Sequence, residues 1–130
     1  METIFSKIIA GIIPSYKIAE DNNYYAFLDI NPLAEGHTLV IPKKPTDYIF
    51  DMQDEELGGL IVFAKKIALA IEKSVPCKRI GIAVIGLEVP HAHIHLVPLN
   101  SIYDIDFKKP KLRLTPEEFI KIAEKIKQNL

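Results

Sequence analysis

Apolar residues follow two different periods along the chain. In the first third, and again in the third quarter, they come in short runs bounded by turn residues, the pattern of strands. Tyr16 to Glu20 and Tyr24 to Asp29 flank Asp21-Asn22-Asn23, a good turn sequence, and are expected to pair as a hairpin. His37 to Ile41 is a third, β-branched run, stopped by Pro42 and Pro45. Lys78 to Ile85 and His91 to Val97 read as the fourth and fifth strands. Between the third and fourth runs the period lengthens. Leu57, Leu60, Ile61, Ala64, Ile67, Ala68 and Ile71 recur at helical spacing, and Asp54, Glu55 and Glu56 sit where the helix dipole is positive. Gly58 and Gly59 weaken that helix by about 1 kcal/mol each relative to Ala, and they suit close approach of another backbone. A short helix is expected over Ile4 to Ala10, ended by Gly11 and Pro14. The last helix begins at Thr115-Pro116-Glu117-Glu118, a capping box with Pro at the first helical position, and carries Phe119, Ile122, Ala123 and Ile126 on one face.

Strands, helix, strands, helix, joined by short links, define an α+β fold. The expectation is a five-stranded antiparallel sheet with one long and one C-terminal helix covering one face. Too few helices are present for the crossovers of a doubly wound parallel sheet. The 130 residues suit one domain spanning 1–130. With 48% hydrophobic residues and a net charge of -1, disorder is excluded. No apolar stretch reaches the ~20 residues of a membrane span, and Lys65 and Lys66 interrupt the longest helical one. The near-neutral charge argues against nucleic acid as a partner. Cys77 is the single cysteine, so neither an internal disulfide nor a zinc ribbon is expected. The first residues lack a basic segment followed by an apolar core, and a cytoplasmic location is expected.

The chemistry concentrates in His91-Ala92-His93-Ile94-His95-Leu96-Val97. On a strand the three imidazoles share one face, and Ala92, Ile94 and Leu96 share the other. Three His in register replace residues that a strand prefers, so a purely structural role fits poorly. Two readings stay open on the residues alone. Two of the His, with a carboxylate such as Glu88, could hold a metal, but the first and third Cα lie ~13 Å apart, too far for all three. Alternatively one imidazole is a nucleophile toward phosphorus, and its neighbours hold the phosphate oxygens.

The triplet resembles the hallmark of the histidine triad family, above all its Hint nucleotide-binding branch. The likeness extends over Ile4 to Ile9, Ile13-Pro14, Glu20-Asp21, Ala26 to Pro32 and Gly36 to Lys43, all in the same order, and covers roughly residues 3–98. The remainder is then a C-terminal extension carrying the helix at 115–129. The resemblance implies a nucleotide-binding hydrolase acting at the α-phosphate of a purine nucleotide conjugate, either a nucleoside phosphoramidate or a dinucleotide polyphosphate. His93 would be the nucleophile that forms nucleotidyl-histidine, with His91 and His95 flanking it and His37 close by. Asp29 would accept hydrogen bonds from the ribose, and Phe5, Ile8, Phe27 and Ile30 would wall the base. The same likeness implies a two-fold homodimer that continues the sheet. No cofactor, no metal and no membrane partner are expected. A structural zinc is not expected either, because Ser6 stands near where zinc-binding relatives carry a cysteine.

The departures are informative. Where the branch has Gly-Gln-Ser/Thr-Val, this chain has Gly86-Leu87-Glu88-Val89, and a carboxylate replaces a hydroxyl. The Asn expected at the end of the preceding strand is missing, and Leu99 stands where an Arg often follows. Glu88 is a candidate proton donor to the leaving group, provided that burial keeps it protonated. A nucleotidyl transferase, and a nucleotide-binding regulatory module with little turnover, are the alternative functions. The run Lys108, Lys109, Lys111 and Arg113 reads as a solvated loop.

Overall fold

The computed structural model describes residues 2–130. Its elements are α1 (Ile4–Ile9), β1 (Lys17–Glu20), β2 (Tyr24–Leu28), β3 (Thr38–Pro42), α2 (Asp54–Ser74), β4 (Arg79–Ala83), β5 (Ile94–Leu99) and α3 (Pro116–Gln128). Single 3-10 turns lie at Ile49–Asp51 and Ile102–Ile105. The strands form one sheet in the order β1-β2-β3-β5-β4, and every neighbouring pair is antiparallel. The hairpin at Asp21 forms as its sequence predicts: the Asp21 carboxylate accepts from the amides of Asn23 and Tyr24, both at 2.8 Å. The Thr115 capping box also forms, with Thr115 Oγ1 accepting from Glu118 N and Glu118 Oε1 accepting from Thr115 N.

Both faces of the sheet are covered. Along β2, Tyr24, Ala26 and Leu28 point to a large core shared with α2 and α3, including Leu60, Ile67, Ile71, Phe119 and Ile126. Tyr25 and Phe27 point the other way, where Leu39 and Ile41 of β3 join Phe5 and Ile8 of α1. This alternation is the strand period at work. The expectation of helices on one face holds for α2 and α3, whereas α1 caps the second face. Burial on both sides explains why β2 and β3 contain no exposed position and read as unbroken apolar runs.

Two expectations need correction. The fifth strand begins at Ile94 rather than His91. The backbone ahead of it is engaged elsewhere: His91 N donates to Val89 O, and Ala92 N donates to Thr46 O at 2.6 Å. The glycines of α2 make no backbone contact. Gly58 faces open space, whereas Gly59 lies under the ring of Tyr24, whose hydroxyl donates to the Glu56 carbonyl at 2.9 Å.

The two glycines therefore respond oppositely to alanine. Gly58→Ala should raise stability by about 1 kcal/mol through helix propensity. A Cβ at Gly59 would collide with the Tyr24 hydroxyl and ring, so Gly59→Ala should lower stability by about 1–3 kcal/mol. Urea midpoints of the two variants check both signs.

Candidate active site

The α1 face of the sheet opens into a cleft of about 340 Å3. Phe5 and Ile8 of α1, Phe27 of β2 and the exposed Ile30 form its apolar wall. Asp29, His37, His93 and His95 line its floor, and Glu88 stands at its edge. Nine of the ten residues singled out from the sequence thus meet in one cleft. The tenth, His91, is fully buried behind it. A larger groove of about 480 Å3 lies on the α2 side, lined by residues such as Tyr48, Phe50, Leu57 and Val84, and has no imidazole on its walls.

His91, His93 and His37 each have a ring nitrogen tied to a backbone group that can play only one role, and His95 is bonded to His37. This fixes the tautomers. The Nε2 of His91 lies 2.8 Å from the carbonyl of Pro42, so Nε2 carries the proton and Nδ1 accepts from Thr3 Oγ1, also at 2.8 Å. Thr3 is in turn the N-cap of α1, its hydroxyl accepting from Ser6 N. The triplet and the apolar wall are therefore joined through one hydroxyl. The Nδ1 of His93 lies 2.8 Å from the carbonyl of His91 and donates to it. That leaves His93 Nε2 as a free lone pair.

His37 is fixed from behind. The backbone amide of Leu33 donates to His37 Nδ1 at 2.9 Å, so the proton sits on Nε2. From there it is donated to His95 Nδ1 at 3.0 Å, with Asp29 Oδ2 as a second acceptor at 3.5 Å. His95 consequently keeps its proton on Nε2. The site combines a free lone pair at His93 with an N–H donor at His95, their rings 5.0 Å apart. That pairing suits attack on an electrophilic phosphorus whose oxygens gain charge.

Burial disfavours charge on His37, His95 and His91. It pushes His37 down to about 3 and His95 down to about 4, with neighbouring imidazoles adding to the shift; it also lowers His91. Asp29 is raised by burial against the opposing amide of Asn31, to which its Oδ1 is bonded at 2.8 Å. Asp29 is thus both a turn residue and a cleft residue. Glu88 is exposed. The burial on which its role as a proton donor depended is absent, and that role is withdrawn.

Among the described residues, Asp29, His37 and His95 are the one group of three metal-ligand types with atoms within 4.8 Å of one another. They do not fit a cation as they stand. His37 has its Nδ1 lone pair taken by the Leu33 amide and a proton on Nε2, so it offers no free donor.

Two cleft residues escaped the sequence reading. The segment after β5 folds back over the site, and the ring of Phe107 packs edge-on against His95, with centroids 4.7 Å apart. Lys111 lines the cleft near Asp29, its ammonium donating to the carbonyls of Phe107 and Lys109. Of the basic run, Lys108 and Arg113 are solvated as expected, but Lys111 is not. No spacing rule marks either residue. Only the path of the loop does, pinned where Leu112 N donates to Pro32 O at 2.9 Å.

Sheet order, buried triplet and cleft together describe a small histidine-based site on an antiparallel α+β scaffold. The model of the HIT domain matches residues 10–102, and the chain belongs to the HIT family. It is 34% identical to the adenosine 5'-monophosphoramidase hnt1 of Schizosaccharomyces pombe, over 100% of this chain and 99% of that protein. Among solved structures, a Hit-like protein from Bartonella henselae superposes with a TM-score of 0.85 at 33% identity, covering 99% of this chain and 96% of that one. A histidine triad nucleotide-binding protein from Sulfolobus tokodaii gives 0.82 at 26% identity, covering 96% and 89%.

The neutral buried rings give stability a defined pH dependence. His37 and His95 bind protons more readily unfolded, at ~6.5, than folded. Stability is therefore full above that value and falls as pH drops toward about 4, by several kcal/mol; the raised Asp29 opposes the loss only at the acid end. Urea unfolding at intervals from pH 7.5 to 4 should show this decline, and His37→Asn should reduce its slope.

Proposed function

We propose that the protein is a nucleotide-binding hydrolase that cleaves a nucleotide conjugate at its α-phosphate. The observation that carries this reading is His93, whose Nδ1–H is held by the His91 carbonyl while its free Nε2 faces a cleft with an apolar wall on one side and Asp29 on the other. The base would lie against Phe5, Ile8, Phe27 and Ile30, and the ribose hydroxyls would donate to Asp29. Nε2 of His93 forms a bond to the α-phosphorus as the bond to the leaving group breaks. In a phosphoramidate, the departing nitrogen takes a proton from solvent at the open rim. The resulting nucleotidyl-imidazolium keeps its Nδ1–H on the His91 carbonyl, and His95 Nε2–H donates to a phosphate oxygen. Water then attacks the phosphorus, the bond to Nε2 breaks, and the nucleoside monophosphate leaves with a proton released. The phosphoramidase activity named for the fission-yeast relative, and the nucleotide binding named for the archaeal structure, support this assignment.

A second copy is proposed to cover the free edge of the sheet. Ile61, Val62 and Leu69 of α2, Ile82 of β4, and Val84 and Ile85 just after β4 are all exposed apolar residues of the kind that mark an interaction surface when they cluster. β4 is also an unpaired edge, so two copies related by a two-fold axis can bury both features at once.

Two measurements test these assignments. Mixing with radiolabelled adenosine phosphoramidate and quenching in base should leave label on the wild-type protein. His93→Ala should bind AMP and carry no label; a labelled His93→Ala protein would move the nucleophile elsewhere. Sedimentation should give a dimer for the wild type and a monomer for Ile82→Asp, and a monomeric wild type would end the dimer proposal.

A further inference from the structure

The charges lining the cleft are unbalanced for a polyanionic substrate. His37 and His95 are neutral at physiological pH, held down by burial. The formal charges on the wall are Asp29, Glu88 and Lys111. Lys111 stands near Asp29 and spends two of its three N–H groups on the carbonyls of Phe107 and Lys109. Those bonds hold its ammonium where its charge acts on Asp29 and His37. Glu88 differs. It makes no ion pair and no side-chain hydrogen bond with any described residue, and it is exposed on the loop that leads through Val89 and Pro90 into the triplet. The cleft thus presents one carboxylate with no ion-pair partner, on the wall it shares with His93.

In-line displacement places the leaving atom across the phosphorus from His93 Nε2, toward the open mouth. Glu88 is exposed and lines the same cleft, so a leaving group that departs through the mouth comes within reach of its charge. A phosphate chain leaving in that direction would bring several negative charges against the carboxylate. An amine carrying a positive charge on its side chain would be drawn to it.

We propose that Glu88 is the specificity residue for the leaving group: the lone carboxylate at the rim of the His93 cleft selects nucleoside phosphoramidates of cationic amines and rejects conjugates whose leaving group is a phosphate chain. The proposal rests on the hydrolase reading above and narrows its substrate class. Bond making and breaking are unchanged. Glu88 transfers no proton and acts through its charge alone.

The test compares four adenylate conjugates at fixed ionic strength. In three, AMP is joined through nitrogen to 1,4-diaminobutane, butylamine or 4-aminobutyrate, which differ mainly in the charge at the far end. The fourth is diadenosine tetraphosphate. For the wild type, kcat/KM should fall in the order cationic, neutral, anionic, with roughly tenfold between the extremes. That ratio should shrink as salt rises from 0.05 to 0.5 M, because the rim is solvent-exposed. In Glu88→Gln, and independently in Glu88→Ser, the ratio should collapse toward one. An unchanged ratio in both variants overturns the assignment while leaving the hydrolase intact, as does wild-type turnover of diadenosine tetraphosphate equal to that of the diaminobutane conjugate. Failure of the wild type to cleave even the butylamine conjugate overturns the hydrolase reading, and the leaving-group assignment with it.

Discussion

The site depends on one constraint: three of its four imidazoles are each tied at a ring nitrogen to a backbone group that can only donate or only accept, and the fourth, His95, takes its tautomer from His37. The carbonyls of Pro42 and His91 accept, and the amide of Leu33 donates. Because these groups are backbone, their roles cannot reverse with pH or with a rotamer change. A neutral imidazole has one N–H and one lone pair, so fixing one nitrogen fixes the other. His93 must therefore present a lone pair, and His95 must present an N–H. Side-chain partners would have left both orientations open.

Of those groups only the Pro42 carbonyl belongs to a strand, and the loops that carry Leu33 and His91 are set by a sheet buried on both faces. The large core under α2 and α3 holds Ala92, Ile94 and Leu96, which anchors the triplet at its entry into β5. The smaller cluster under α1 supplies the cleft wall. The same burial disfavours charge on His37 and His95, which keeps their hydrogen bonds in the sense described. Packing and protonation state are thus two results of one arrangement. The Thr3 hydroxyl ties them to the first helix, since it serves at once as the cap of α1 and as the donor to His91.

Much of the fold was legible in the sequence, because periodicity and turn chemistry are local. The Asp21 turn, the Thr115 capping box and the apolar stripe of α2 each report on neighbours within a few residues. The start of β5 was not legible: His91 and Ala92 look like strand residues, but their amides are claimed by Val89 and Thr46. Phe63 of α2, fully part of the core, lay outside the stripe read from spacing. Within the site, nine of the residues named from the sequence line one cleft, but the sequence said nothing of the contacts that set their chemistry. The His37–His95 bond links positions 58 apart, and Leu33 acts through its amide, which no side-chain pattern can reveal. Exposure of Glu88 likewise depends on the path of its loop.

Phe107 and Lys111 close the cleft from a stretch of chain that lies wholly downstream of the histidine motif. Floor and roof therefore come from different parts of the polypeptide, and only the floor carries imidazoles. Insertions, deletions or exchanges in the tail can reshape what enters without disturbing a single hydrogen bond of the triplet. Two chains with the same motif and different tails would share a reaction and diverge in what they admit.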